Sequence, residues 1–365
     1  MEERAVTFLR RLLDAPGPSG YESAPARIWR DEASSFADEV THDVIGNSFA
    51  RVKSRDDMPS APKVLLAGHI DEIGFVITHI DSDGFLWFSP LGGWDDQVVV
   101  GQRLRIVGRE GDVIGVVGKK AAHLLKDEDR RKPTRLDDMW LDIGASGRED
   151  AARRVEVGDP AVIDSRFIEL TGDICVARSM DNRVGAYVAL EAARLIAEDR
   201  CAADVYAVAT AQEEITFGGA YTASFSVAPL IGIAIDVTHA TDYPGADKKR
   251  DHEVKLGGGP VLGRGATVND GVFAGLRSAA RTLGIDTAVQ ATGKSSGTDA
   301  DAMIHSGAGT ATGVVSIPNR YMHSPNELVS LTDLENAARV IAEFIRTVTT
   351  ESDFRPGSAE TGARP

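Results

Sequence analysis

Hydrophobic positions near the start of the chain recur at helical spacing, with Val6, Leu9 and Leu13 in a first stretch and a second helical stretch from about Ser23. The loop Pro16-Gly17-Pro18-Ser19-Gly20 separates them. The period then changes. Lys63-Val64-Leu65-Leu66-Ala67 is continuously apolar after its lysine, as expected of a strand covered on both faces, and it runs directly into Gly68-His69-Ile70-Asp71. From about Phe75 to Ile163 short β-rich runs at 75–78, 85–88, 104–107 and 113–117 are divided by glycines, the texture of a small all-β module. Within it, the charge-rich stretch from His123 to Asp138 is expected to form a mobile loop.

After about Ser165 the α/β pattern returns, with a helix through Val184, Tyr187, Val188 and Leu195 and strands at 205–209 and 230–235. Thr332-Asp333-Leu334-Glu335 has the form of a capping box, and Leu334, Ala338, Ile341 and Ile345 follow at helical spacing as a closing helix. The β module therefore reads as an insertion: residues 1–72 and 165–350 make one discontinuous α/β domain, and residues 73–164 make the inserted one. Residues 351–365, rich in Gly, Ser, Pro and charge, are expected to be a disordered tail. There is no internal repeat.

Composition narrows the class without choosing a function. With 365 residues, 42% hydrophobic and 26% charged, the chain is an ordinary globular protein of one or two domains. The first ten residues carry charges too early for a secretory signal, and no run approaches the roughly 20 apolar residues of a membrane span, so a cytoplasmic location is expected. Cys175 and Cys201 are the only cysteines, which leaves no disulfide framework to argue and fits a reducing compartment. A net charge of −15 argues against general nucleic-acid binding, which needs a basic surface to displace counterions. Most of the acid is assigned to helix termini and solvated faces.

Four acid or histidine clusters recur just beyond the carboxyl end of a predicted strand, where open α/β sheets assemble their sites. They are Gly68-His69-Ile70-Asp71, Ser179-Met180-Asp181-Asn182-Arg183, Thr210-Ala211-Gln212-Glu213-Glu214 and Ile235-Asp236-Val237-Thr238-His239; a fifth, Tyr321-Met322-His323-Ser324-Pro325, lies ahead of the closing helix. A lone H-x-D is a weak pattern. At a strand end it reads as His69 ligating a metal through one ring nitrogen while Asp71 accepts a hydrogen bond from the other. Glu213-Glu214 has the competing reading of a solvated helix start, but adjacent residues leaving a strand point to different sides, so one carboxylate can bind metal while its neighbour addresses a bound water. Helix capping competes for Asp181, whereas Asp236 ends a strand with no apolar reason to be there. His42, His79, His123, His239, His252 and His305 receive no ligand role; His239 and His123 are the two placed to approach the site.

The segments A-G-H-I-D-E-I-G, S-M-D-N-R-V-G, A-Q-E-E, D-V-T-H-A-T-D-Y-P-G, G-T-D-A and M-H-S-P-N-E together resemble the tetrahedral and glutamyl aminopeptidase family of two-metal peptidases, some of whose members have been labelled endoglucanases. The resemblance runs from P-G-P-S-G-Y-E to about Val348. It implies an aminopeptidase-type three-layer α/β/α catalytic domain with an inserted small β-barrel-like dimerisation domain, dimers assembling into a tetrahedral dodecamer, and short peptides as substrates. It gives His69 and Asp236 to one metal, Glu214 and His323 to the other, Asp181 to both, and makes Glu213 the general base, with a cis peptide after Asp181. Two divalent ions are implied, zinc by default from the mixed histidine and carboxylate donors, with cobalt or manganese open. The expected reaction is attack of a dimetal-bound water, activated by Glu213, on the amide of the N-terminal residue. Two departures stand out. Many relatives continue the double glutamate with a glycine two residues on and an arginine before G-A; this chain has Thr216 and Gly218 there, which bears on the pocket wall but removes no ligand.

Two other classes remain to be weighed: a non-catalytic peptide-binding or assembly protein on the same fold, and a glycoside hydrolase. Adjacent Glu213 and Glu214 suit the latter poorly, because its two acids must flank the sugar bond at about 5–9.5 Å, usually from separate elements.

Overall fold

The continuous apolar run of residues 64–67 becomes the central strand of the molecule. Val64 and Leu66 join the core on one side of the sheet, and Leu65 and Ala67 join a second core on the other. A strand with two buried faces needs helices on both, and the sequence supplies them. In the computed structural model, which describes residues 1–357, the strands in chain order are β1 (Glu39–His42), β2 (Ser48–Val52), β3 (Lys63–His69), β4 (Gly74–Ile80), β5 (Leu86–Leu91), β6 (Arg103–Gly108), β7 (Gly111–Gly118), β8 (Trp140–Asp142) and β9 (Pro160–Ile163). They continue with β10 (Ile168–Glu169), β11 (Ile174–Ala177), β12 (Asp204–Thr210), β13 (Ile231–His239), β14 (Val261–Gly265), β15 (Ala288–Thr292), β16 (Ala311–Asn319) and β17 (Glu327–Ser330).

Eight of them form one sheet in the order β1-β2-β12-β3-β13-β16-β14-β15, and β10, β11 and β17 form a small second sheet. Helices Glu3–Asp14, Ser23–Ala33, Met180–Glu198, Asp270–Leu283 and Leu331–Arg346 bury their apolar sides in the first core; Gly218–Val227 and Ala300–Met303 cover the second. This is a three-layer α/β/α domain. Strands β4 to β9 close instead into a six-stranded barrel, β4-β5-β8-β7-β6-β9, around its own core of Phe75, Ile77, Leu86, Leu104, Ile106 and Leu141. The chain leaves the main sheet at His69, at the end of β3, and enters the barrel at Gly74. The barrel is thereby rooted beside the carboxyl end of the central strand.

The four parallel central strands, β12, β3, β13 and β16, set the level of the clusters. Thr210 pairs with His69 and Ala234 with Ala67, so Asp236, two residues further on, comes level with His69 on the same face. On the opposite face the helix Met180–Glu198 approaches so closely that a Cβ on Gly68 would collide with the backbone of Gly185 and Ala186, and one on Gly185 with Ile235 O. Two facing glycines are what bring Asp181, at the start of that helix, to the strand ends. A buried charge cluster holds the same corner: Arg183 Nη2 lies 2.8 Å from Glu72 Oε1 and Arg178 Nε 3.1 Å from Glu72 Oε2, while Arg183 also donates to the carbonyls of Leu12, Gly17 and Ile70. Removing one partner of such a buried pair costs about 3–5 kcal/mol.

Two sequence expectations, the start of the closing helix and the tail, differ from what is observed. The closing helix begins at Leu331, earlier than the capping box placed it. Its first turn is capped from outside, Leu331 N donating to Asp173 O and Thr332 N to Asp173 Oδ2, while Asp333 turns away to accept from the backbone N–H groups of Gly257 and Gly259. The charge-rich stretch expected as a loop holds no α-helix or strand, only three short 3₁₀ turns, Ala122–Leu124, Asp129–Arg131 and Leu136–Asp138. Finally, Phe354 of the expected tail packs edge-on to Phe344 at 6.4 Å and accepts a hydrogen bond from Asn269; residues 358–365 of that tail lie outside the described residues. Both cysteines are buried and free, and among the described residues no helix is long and apolar enough to cross a membrane.

Candidate metal centre

All five histidine and carboxylate positions singled out as ligands converge. Asp181 is the pivot: His69 Nε2 lies 3.1 Å from its Oδ1 and His323 Nε2 lies 3.3 Å from its Oδ2. Asp236 Oδ1 is 3.9 Å from His69 Nε2, and Glu214 Oε1 is 3.4 Å from His323 Nε2. Two ligand groups result, His69 with Asp181 and Asp236, and Asp181 with Glu214 and His323, each with its donor atoms within 4.8 Å of one another. The peptide following Asp181 is cis.

The arrangement fits divalent cations on its own evidence. Four carboxylates, those of Asp181, Glu213, Glu214 and Asp236, crowd around the imidazoles of His69 and His323, and Glu214 Oε1 is buried with no hydrogen-bond partner. Buried anions of that density need positive charge. The protonation pattern says the same. Burial opposes charge on His323, yet the Asp181 and Glu214 carboxylates push it up to about 11; His69 is raised well above its usual value against burial by Glu213, Asp181 and Asp71. Burial, with the carboxylates of Asp181 and Asp299, drives Asp236 well above the ordinary carboxylate range. Carboxylates that hold the neighbouring imidazoles protonated would equally attract cations, and cation binding would release those protons.

Residues behind the ligands fix their orientation. His69 Nδ1 faces the main-chain carbonyl of Asp71 at 3.2 Å, with Asp71 Oδ1 slightly farther at 3.4 Å. Because a carbonyl only accepts, Nδ1 keeps its proton, and Nε2 is the nitrogen that would give up its proton to ligate a cation. The Asp71 carboxylate is mainly occupied otherwise: Oδ1 accepts from Glu213 N, and Oδ2 accepts from Glu214 N and the Ser19 hydroxyl. It anchors the turn that carries both glutamates. Glu213 is buried, with Oε2 3.6 Å from His69 Nε2. Burial, then the carboxylates of Asp236, Asp299 and Glu214, raise it well above the usual carboxylate value despite His69.

Sequence reasoning gave no role to three further acids. Glu327 is buried and ties the two ligand segments together, its Oε2 accepting from Asp181 N and its Oε1 from His323 N, both at 2.9 Å. Glu22 accepts from Gly20 N and Gln212 N, and Asp299 Oδ2 accepts from the Thr210 hydroxyl at 2.5 Å. All three lie inside the segments that carry the family resemblance, but nothing in their spacing marks them as supports. The two departures shape one turn: Gly218 N donates to Thr216 Oγ1, and Phe217 between them adopts a left-handed conformation, φ 54°. Of the unassigned histidines, His239 and His252 line the cavity, whereas His42, His79, His123 and His305 are exposed elsewhere.

The chain's similarities agree with this geometry. The family model described as M42 glutamyl aminopeptidase matches residues 46–340. A lysyl aminopeptidase of Pyrococcus furiosus is 35% identical over 352 residues, covering 96% of this chain and 99% of that protein. Among solved structures, a TET aminopeptidase from a marine sediment archaeon of the Thaumarchaeota superposes with a TM-score of 0.90 at 33% identity, covering 95% of this chain and 98% of the other. The TET1 peptidase of Pyrococcus horikoshii, which can assemble into a tetrahedron or a large octahedral shell, gives 0.82 at 29% identity over 94% of this chain and 100% of its own.

Proposed function

The chain belongs to the M42 glutamyl aminopeptidase family, a family of peptide-bond hydrolases, and from that premise we propose that it is a two-metal enzyme removing N-terminal residues from short peptides, with Glu213 as its proton carrier. The observation that carries the reading is the sharing of Asp181, whose two carboxylate oxygens face one histidine each. His69, Asp181 and Asp236 would hold one cation, and Asp181, Glu214 and His323 the other. Two such ions, with zinc the first choice and cobalt or manganese alternatives, would act as Lewis acids toward a carbonyl and bring the pKa of a water toward about 7.

The protein's own groups supply the rest. Glu213 Oε2 takes the proton of the attacking water and delivers it to the departing amine, a role that suits a carboxylate whose affinity for protons is raised by burial. Its neighbour Glu214 points to His323 and serves as ligand, so two adjacent acids divide the work. Asp71 keeps the pair in register through their backbone N–H groups. Cavity walls around the centre restrict the approach of the peptide.

Protein stripped by a chelator should release no arylamine from aminoacyl anilides and should regain activity with zinc, cobalt or manganese; N-acetylated substrates should resist. Full activity in the stripped protein would remove the reading. We also propose a cytoplasmic dodecamer built of dimers through the inserted barrel, as the TET1 relative's shells suggest. Light scattering should then give a mass near twelve times that of the chain, and a monomer at micromolar concentration would dispose of the assembly alone.

A further inference from the structure

The cavity that holds the ligands has a volume of about 570 Å³ and continues past them along a further wall, with room for an amino-acid side chain. Its wall is assembled from the ends of β13, β14, β15 and β16 and from the turn that carries Phe217. Outside the ligands and Glu213, no described residue lining it is an aspartate, glutamate, lysine or arginine; His239 and His252 are the only other titratable side chains among the described lining residues. The remainder is apolar, as at Phe217, Val314 and Met322, or polar without charge. Across the strand ends the Thr238 hydroxyl donates to Gln290 Oε1 at 2.8 Å.

We propose that this wall makes the enzyme selective for N-terminal residues with uncharged side chains of leucine to phenylalanine size, with the Thr238–Gln290 pair as the polar determinant. The proposal rests on the aminopeptidase reading above and narrows its substrate class. A charged side chain taken out of water needs an opposite charge close by, or its desolvation goes uncompensated. A lysyl ammonium in this wall would meet hydroxyls and one amide, because Asp181, Glu214 and Asp236 are committed to the ligand groups and Glu213 lies against His69, its Oε2 3.6 Å from Nε2. A glutamyl carboxylate would find no guanidinium or ammonium. Apolar side chains meet Phe217, Val314 and Met322 without any such penalty. Gln290, with its carbonyl engaged by Thr238, keeps its amide N–H groups for a neutral acceptor such as a glutamine carbonyl or a methionine sulfur. Discrimination therefore arises chiefly from what the pocket withholds from charged residues.

The test is a panel of Leu, Met, Phe, Gln, Lys, Arg, Glu and Asp aminoacyl-methylcoumarin amides with zinc- or cobalt-reconstituted full-length protein. Leu, Met or Phe should exceed Lys and Glu in kcat/KM by roughly tenfold or more. Gln290→Glu should raise the Lys-to-Leu ratio by about tenfold, and Thr292→Asp, on the same wall, serves if the first variant does not fold. A parent enzyme that prefers lysyl, arginyl, glutamyl or aspartyl substrates overturns the proposal, as does an unmoved ratio in a folded, metal-loaded variant. Failure to cleave any member of the panel overturns the aminopeptidase reading itself, and the specificity falls with it.

Discussion

Replacing Glu213 by glutamine should lower kcat by about 10²–10⁴-fold while leaving metal content unchanged. Glutamine keeps the size of the side chain and removes only its capacity to accept and return a proton. The backbone there is secured independently, Glu213 N donating to Asp71 Oδ1, so the turn and the ligand Glu214 should stay in place. Both ligand groups form without Glu213. The loss should therefore fall on kcat, with KM nearly constant, as expected when an interaction made only in the transition state is removed. Kinetics paired with metal analysis decide it: a Glu213→Gln protein with full metal and turnover within tenfold of the parent would strip Glu213 of its assigned role.

Asp181→Ala should be more damaging to the metals. Asp181 is the one residue common to both groups, so its removal takes a donor from each cation at once. Loss of a partner behind a ligand already costs 10–100-fold in metal affinity, and loss of a shared ligand should weaken both cations by at least about 100-fold. His323→Ala removes a donor from one group only and should empty that position alone. Isothermal titration with zinc separates the two patterns. Two unaltered binding events in Asp181→Ala would show that the carboxylate does not bridge.

Much of this site was legible because strand ends are conspicuous. The buried run 64–67 announced a strand covered on both faces, and a histidine at the end of such a strand has few apolar excuses. Parallel pairing then brings Thr210 and Asp236 to the level of His69, which no single segment reveals. The supports were not legible. Glu327 acts through two backbone N–H groups separated by most of the domain, and Glu72 through two arginines on another helix and its approach; such partners depend on tertiary placement alone. Local rules also misled where a tertiary contact won: Asp333, read as part of a capping box, is held by Gly257 and Gly259, and Asp173 caps the helix in its stead. The facing pair Gly68 and Gly185 belongs to the same class, since a glycine in a strand shows its purpose only when the helix above it is known.

The central claim is that five side chains distant in sequence enclose two cations around one shared carboxylate. An anomalous-difference map from crystals of zinc-reconstituted protein tests it most directly. Two peaks should appear, one bounded by His69, Asp181 and Asp236 and the other by Asp181, Glu214 and His323, with Asp181 reaching both. Peaks elsewhere, or none in this cavity at saturating zinc, would contradict the account.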